Sequence, residues 1–270
     1  MSNLITWPMR VDLSGRLAVV TGASEGIGAA TVRALAAHGA DVAFCSRRAD
    51  AGDELAASLA GCPGRVRRYA VDMVDAEATA AFLDAVAGDL GDADILVNNV
   101  GDSPSRNFLH MSDSDWTELF ELNLMSAVRC TRRLLPAMRA QKWGRVIMVA
   151  TAGAKYPNPA LVDYAASKAA MVATASALSK KYAADGVLVN SVLPGLIRTA
   201  MWERTAREVA DATGSSVEDV FAQRGANVPL RRYGHADEVA AAILFLASPY
   251  AGYINGAAID VDGGLGAAMY

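Results

Sequence analysis

The chain has 270 residues, of which 53% are hydrophobic and 20% charged, enough for one sizeable core and unlike a disordered chain. Its formal net charge is −4 and no basic run exceeds two residues, as in Arg67-Arg68 and Arg132-Arg133, which speaks against nucleic acid as a partner. The longest apolar run, Val239 to Ala247, is too short to span a bilayer, and Met1 to Arg10 lacks the apolar stretch of a signal peptide, so no membrane partner and a cytoplasmic location are expected. Residues 1–15 read as an irregular N-terminal arm. Arg16-Leu17-Ala18-Val19-Val20 is a short apolar run before a glycine, the pattern of a buried strand. A glycine-rich turn, Thr21 to Gly28, leads into an alanine-rich amphipathic helix that stops at His38-Gly39, and a strand follows from Asp41 to Cys45. Strand, glycine turn, helix and strand in this order make a βαβ unit.

The alternation continues along the chain. Strands are expected at Arg65 to Val71, Asp94 to Asn98, Arg145 to Ala150, Val187 to Val192 and Ala257 to Val261. Helices are expected at Ala76 to Leu90, from a capping box at Ser112–Asp115 towards Met138, at Asp163 to Ala184, and at Ala236 to Ser248. Such alternation implies one α/β domain over 1–270, a mostly parallel, doubly wound sheet covered on both faces. One segment breaks the rhythm. Between Pro194-Gly195 and Val228-Pro229 lies a long excursion with Met201, Trp202, Val209, Val220 and Phe221 and a cap signal at Ser215–Glu218. Its apolar residues at helical spacing suggest a helical lid, residues 196–227, over a pocket. Cys45, Cys62 and Cys130 are widely spaced and read as reduced thiols; neither they nor His38, His110 and His235 show ligand spacing, so no metal is expected.

Two local patterns carry chemistry. Gly22, Gly26 and Gly28, spaced G-x3-G-x-G after the first strand, would let backbone N–H groups approach a pyrophosphate at a helix N-terminus. Tyr164 and Lys168 lie one helical turn apart on one face, so the lysine is expected to lower the phenol pKa and make Tyr164 a proton donor.

Taken together, Thr21-Gly22-x-x-x-Gly26-Ile27-Gly28, Asn98-Asn99-Val100-Gly101, Tyr164-x-x-x-Lys168, Pro194-Gly195 and Asp262-Gly263-Gly264 resemble, in order and spacing, the short-chain dehydrogenase/reductase family over residues 12–264. The resemblance implies a single Rossmann-type domain with a seven-stranded parallel sheet, and hydride exchange between NAD(P) and a carbonyl or alcohol. It implies that Gly22, Ser24, Gly26, Ile27 and Gly28 hold the cofactor. Asp72 and Met73 would meet its adenine, Asn99 and Gly101 would form its floor, and Pro194, Gly195, Ile197 and Thr199 would flank the nicotinamide. Tyr164 and Lys168 would touch the cofactor as well as act in catalysis, with Asn123 anchoring a water behind the lysine. The family's catalytic serine falls here on Thr151, whose hydroxyl offers the same donor and acceptors on a stiffer side chain, and its Asn-Asn-Ala-Gly reads Asn-Asn-Val-Gly.

Cofactor choice falls on the end of the second strand. NAD-using relatives carry an Asp there; this chain has Ser46, followed by Arg47 and Arg48, which favours NADP (NADPH) and leaves NAD possible. Glu25 argues the other way, because many NADP-using relatives are basic at that position. The motif including Pro229-Leu230-Arg231-Arg232-Tyr233-Gly234 is most similar to 3-oxoacyl-carrier-protein reductase-like members, with a small carbonyl or alcohol substrate of some hydrophobic body. The alternatives are an NAD-dependent alcohol dehydrogenase and a non-catalytic dinucleotide sensor. Ala165, Ala169, Ala173 and Ala177 give the Tyr164 helix a small-residue face, which in this family forms dimer contacts, so a homotetramer is expected.

Overall fold

The central strands are apolar along their whole length because helices cover both faces of the sheet and leave neither to water. In the computed structural model, which describes residues 10–266 apart from the side chains of Met201 and Thr205, the strands and helices alternate. The strands are β1 (Leu17–Thr21), β2 (Asp41–Ser46), β3 (Val66–Ala70), β4 (Ile95–Asn98), β5 (Gly144–Val149), β6 (Val187–Pro194), β7 (Ile197–Arg198), β8 (Gly234–His235) and β9 (Ala258–Val261). The helices are α1 (Gly26–Ala37), α2 (Ala49–Ser58), α3 (Ala76–Leu90), α4 (Asp113–Phe120), α5 (Ser126–Ala140), α6 (Val162–Tyr182), α7 (Ala200–Thr213), α8 (Val217–Gly225) and α9 (Ala236–Ala247). Residues 1–9 of the expected arm lie outside the described residues.

Seven strands form one parallel sheet in the order β3-β2-β1-β4-β5-β6-β9, the Rossmann-type arrangement expected. The two-residue alternation of each strand divides the core. Val20, Val42, Phe44, Val97 and Ile147 face Val32 and Leu35 of α1 and Val239 and Ile243 of α9. Val19, Ala43, Leu96, Val146 and Met148 face Leu83 of α3, Leu134 and Met138 of α5 and Met171 of α6. Strand order reverses between β1 and β4, and the carboxyl ends of these two strands carry Gly22 and Asn99. A crevice opens at such a point in open α/β sheets.

Three elements differ from the sequence expectation. Helix α2 lies outside the sequence expectation because its segment holds few large apolar residues and buries only Gly52 and Leu55. The long helix opening at Ser112 is broken by a π-helical turn, Glu121–Met125, whose extra residue helps carry Asn123 to a fully buried position. The 196–227 excursion contains α7 and α8, but it also feeds a strand: β7 pairs with β8 in a separate two-stranded sheet. Its helix cap sits one residue beyond the expected Ser215, at Ser216, whose hydroxyl accepts from Asp219 N while the Asp219 carboxylate accepts from Ser216 N. Helices α7 and α8 hold a small core of their own, in which Phe221 meets Tyr233 edge-on at 4.9 Å and Trp202 meets it at 6.3 Å. Among the described residues no helix is long and apolar enough to cross a membrane.

Candidate active site

The glycine turn is built for close approach. Gly22 and Gly26 sit in the left-handed region, φ +67° and +59°, where a side chain is strained. A Cβ on Gly28 would lie 2.6 Å from both Asn99 Nδ2 and Gly22 O. Asn99 laces the two strand ends together: its Nδ2 donates to Thr21 O (3.0 Å) and Gly22 O (2.8 Å), and its backbone N–H donates to Thr21 Oγ1. Among the described residues no side chain caps α1, so its first N–H groups are left for whatever enters the groove.

That groove has a volume of about 660 Å³ and is walled by Gly22, Ser24, Gly26, Ile27, Gly28, Ser46, Arg47, Arg48, Asp72, Met73, Asn99, Gly101 and Thr199, all expected from sequence. Its size, its glycine cradle and its open helix terminus fit a dinucleotide. Sequence reasoning missed Cys45, Val71, Val100, Leu122 and Arg204 in the wall, and weighed Glu25 only as an objection. The apolar ones extend strand ends already identified; Arg204 comes from α7 and carries no local signal. The end of β2 holds no acid. Ser46 is buried and its hydroxyl donates to the Arg48 carbonyl (2.9 Å), shaping the turn that presents Arg47 and Arg48. Arg48 Nη2 lies 2.6 Å from Glu25 Oε2, and Arg204 Nη2 lies 3.7 Å from Glu25 Oε1.

A second cavity of about 400 Å³ shares Ile27 and Thr199 with the groove, so the two spaces meet at one wall. Thr151, Tyr164, Pro194, Gly195 and Ile197 line it, together with Ser103, Tyr156, Asn158, Leu161, Leu196 and Trp202. Thr151 is held by Gly153 N–H, which donates to its Oγ1 (3.2 Å), and the Thr151 hydroxyl reaches the Tyr164 phenol, where it favours the ionised form. The methyl group therefore does not turn the hydroxyl away from the pocket.

Lys168 and Asn123 line neither space. Lys168 is 2% exposed and its Nζ donates to Val149 O (3.0 Å) and Val100 O (3.5 Å), behind Gly101, whose Cβ would stand 2.9 Å from Nζ. Asn123 Oδ1 accepts from Asp102 N (2.9 Å), and its Nδ2 donates to Asp102 O (3.1 Å) and Ser167 Oγ (3.0 Å). The expectation that Lys168 lowers the Tyr164 pKa needs correction. Burial pushes the phenol up, outweighing the lowering by Thr151, and Asp102 adds to the rise; the same burial pushes the Lys168 ammonium down to about 8. Desolvation is the largest influence on both groups.

Comparison with known proteins finds relatives over almost the whole chain. The family model described as enoyl-(acyl carrier protein) reductase matches residues 22–266. The 3-oxoacyl-[acyl-carrier-protein] reductase FabG of Thermotoga maritima is 32% identical over 253 residues, covering 94% of this chain and 98% of that one. The structure of L-sorbose reductase from Gluconobacter frateurii with NADPH and L-sorbose superposes with a TM-score of 0.94 at 34% identity, covering 97% of this chain and all of that one. A variant actinorhodin polyketide ketoreductase with NADPH gives a TM-score of 0.86 at 32% identity, over 94% of this chain and 98% of that one. The chain belongs to the short-chain dehydrogenase/reductase family.

Proposed function

We propose that the protein reduces a compact ketone with NADPH, using Tyr164 as the proton donor. The observation that carries this reading is the shared wall: the Thr151–Tyr164 pair faces one cavity, the glycine cradle faces the other, and Ile27 and Thr199 belong to both. Bound NADPH supplies the hydride that the carbonyl carbon receives. The chain supplies the rest. Ser24, Gly26, Ile27 and Gly28 present backbone to the pyrophosphate, Asp72 and Met73 border the adenine end, and Arg47 and Arg48 receive the 2′-phosphate. Pro194, Gly195, Ile197 and Thr199 flank the reacting end.

Thr151 and Tyr164 hold the carbonyl oxygen, and Tyr164 gives up its proton. Burial keeps the phenol protonated at neutral pH, which is the state a donor needs, and Lys168, with a pKa near about 8, is still mostly cationic there and steadies the phenolate left behind. Asn123 fixes the backbone at Asp102 beside the lysine and anchors the route by which a proton returns. The L-sorbose and 3-oxoacyl relatives suggest two substrate classes. Trp202, Leu161 and Leu196 provide the hydrophobic body contact expected, but Ser103, Tyr156 and Asn158 also line the cavity. Three polar side chains in about 400 Å³ favour a small oxygenated ketone over a long acyl chain. An NAD-dependent alcohol dehydrogenase is the second reading, and Glu25 against Arg48 is its one support.

The chain acts as one domain with residues 196–227 as its lid, and a cytoplasmic homotetramer completes the proposal. Ala173 and Ala177 are exposed on α6, so packing within the chain does not account for them. NADPH oxidation followed with a panel of ketohexoses, short 3-oxoacyl thioesters and apolar ketones tests the reading. Tyr164→Phe should lower the rate by about 10²–10⁴-fold with cofactor affinity retained, and full turnover in that variant refutes the assignment.

A further inference from the structure

A carboxylate is out of place beside a groove that has to accept phosphate. Glu25 nevertheless sits in the glycine turn, with one oxygen 2.6 Å from Arg48 and the other 3.7 Å from Arg204. The two arginines come from separate parts of the fold. Arg48 follows β2, and Arg204 lies in the second turn of α7, a lid helix. The start of that helix is set against the same turn, since a Cβ on Gly26 would stand 3.2 Å from Thr199 Cγ2. All three charged side chains line the cofactor groove.

We propose that Arg204 is a cofactor-discriminating residue: it contacts the 2′-phosphate of NADPH in exchange for Glu25, the acid that holds Arg48 and Arg204 together until the phosphate arrives. This rests on the NADPH reading above and extends it to the lid. One carboxylate carries a single charge, and here it is divided between two guanidinium groups. A phosphate monoester carries nearly two charges and three acceptor oxygens, so it can satisfy both. The exchange is open to them, because the Arg48 and Arg204 side chains are 51% and 55% exposed and exposed carboxylate pairs bind weakly. Guanidinium to phosphate is the stronger, bidentate pairing. Glu25 then opposes NADPH by competing for its arginines and by facing its phosphate with like charge. Because Arg204 is carried by α7, the exchange ties the lid helix to the phosphate, whereas NADH lacks that group and leaves Arg204 on Glu25.

Fluorescence titration of the full chain with NADPH and with NADH tests this, using wild type, Arg204→Ala, Arg204→Lys and Glu25→Gln. Arg204→Ala should weaken NADPH by about tenfold, as expected for a charge-assisted contact partly exposed to solvent, and change NADH by less than about twofold. Arg204→Lys should recover part of the loss, and Glu25→Gln should tighten NADPH several-fold with little effect on NADH. A wild type that binds NADH more tightly than NADPH overturns both this inference and the reading beneath it. A wild type that prefers NADPH, with Arg204→Ala weakening both cofactors equally or neither, overturns the inference alone.

Discussion

Replacing Lys168 by Met should make the folded protein more stable at neutral pH while removing its activity. Lys168 is almost fully enclosed, its only partners among the described residues being the carbonyls of Val149 and Val100 and the Met171 sulfur, and burial lowers its pKa from 10.5 to about 8. Between these two pH values the unfolded chain binds a proton that the folded chain does not, so wild-type stability rises with pH across that window. Below about pH 8 both states are charged, and the fold carries the whole penalty. At 1.36 kcal/mol per pH unit that penalty is about 3 kcal/mol. Methionine matches the stem of lysine without its charge, though the Val149 carbonyl loses a donor at a cost of about 1 kcal/mol. The variant should therefore gain about 2 kcal/mol at pH 7. Urea unfolding at several pH values from 7 to 10.5 measures the gap. The decisive quantity is its pH dependence: wild type should recover about 3 kcal/mol relative to Lys168→Met between pH 8 and 10.5. A gap that stays constant across that range refutes the assignment of a buried, destabilised ammonium.

Three further outcomes follow from the same geometry. Gly28→Ala places a methyl group 2.6 Å from Asn99 Nδ2 and Gly22 O, so it should cost about 1–3 kcal/mol of stability in a thermal melt and abolish NADPH binding in titration. Thr151→Ala should lower kcat by about 10²-fold, whereas Thr151→Ser keeps the hydroxyl that Gly153 N–H orients and should retain most of the rate in a steady-state assay. The Cys45 thiol is buried and pushed up to about 12, and Cys130 is buried and raised as well, so at pH 8 a colorimetric disulfide reagent should modify only the part-exposed Cys62 until urea is added.

The sheet was legible because its signals are local. Leu17-Ala18-Val19-Val20-Thr21 is apolar enough to be a strand buried on both sides, and Ser112 with Asp115 forms the capping box that opens α4. Elements that depend on distant partners were not legible. β7 and β8 are two residues each and exist because Ile197 and Arg198 meet Gly234 and His235 across the lid. The lid cap was legible only to within one residue, since Ser215-x-x-Glu218 and Ser216-x-x-Asp219 are both acceptable boxes. Tertiary structure decides between them: Glu218 is held by Arg198 Nη1 and Nη2 at 3.0 and 2.6 Å, leaving Asp219 free to close on Ser216. Arg204 was invisible for the same reason, since nothing in its neighbours foretells a glutamate from the glycine turn.

The Tyr164–Lys168 pair shows what helical spacing can and cannot decide. Four residues in α6 place both side chains on one face, but the sign of a pKa shift depends on what surrounds that face. Here the surroundings are the carboxyl ends of β4 and β5, and the ammonium turns to the carbonyls of Val100 and Val149 rather than to the phenol. Enclosure raises one group and lowers the other: the phenol keeps its proton to a higher pH than a free tyrosine, the ammonium gives its proton up above about pH 8, and each is protonated near pH 7. A protonated phenol beside a cation is suited to giving a proton away, because the anion it becomes is the form the cation favours. A base for alcohol oxidation needs the opposite starting state, reached only as the pH rises. Reduction should therefore be the direction the protein performs near neutrality, and oxidation should gain rate towards alkaline pH.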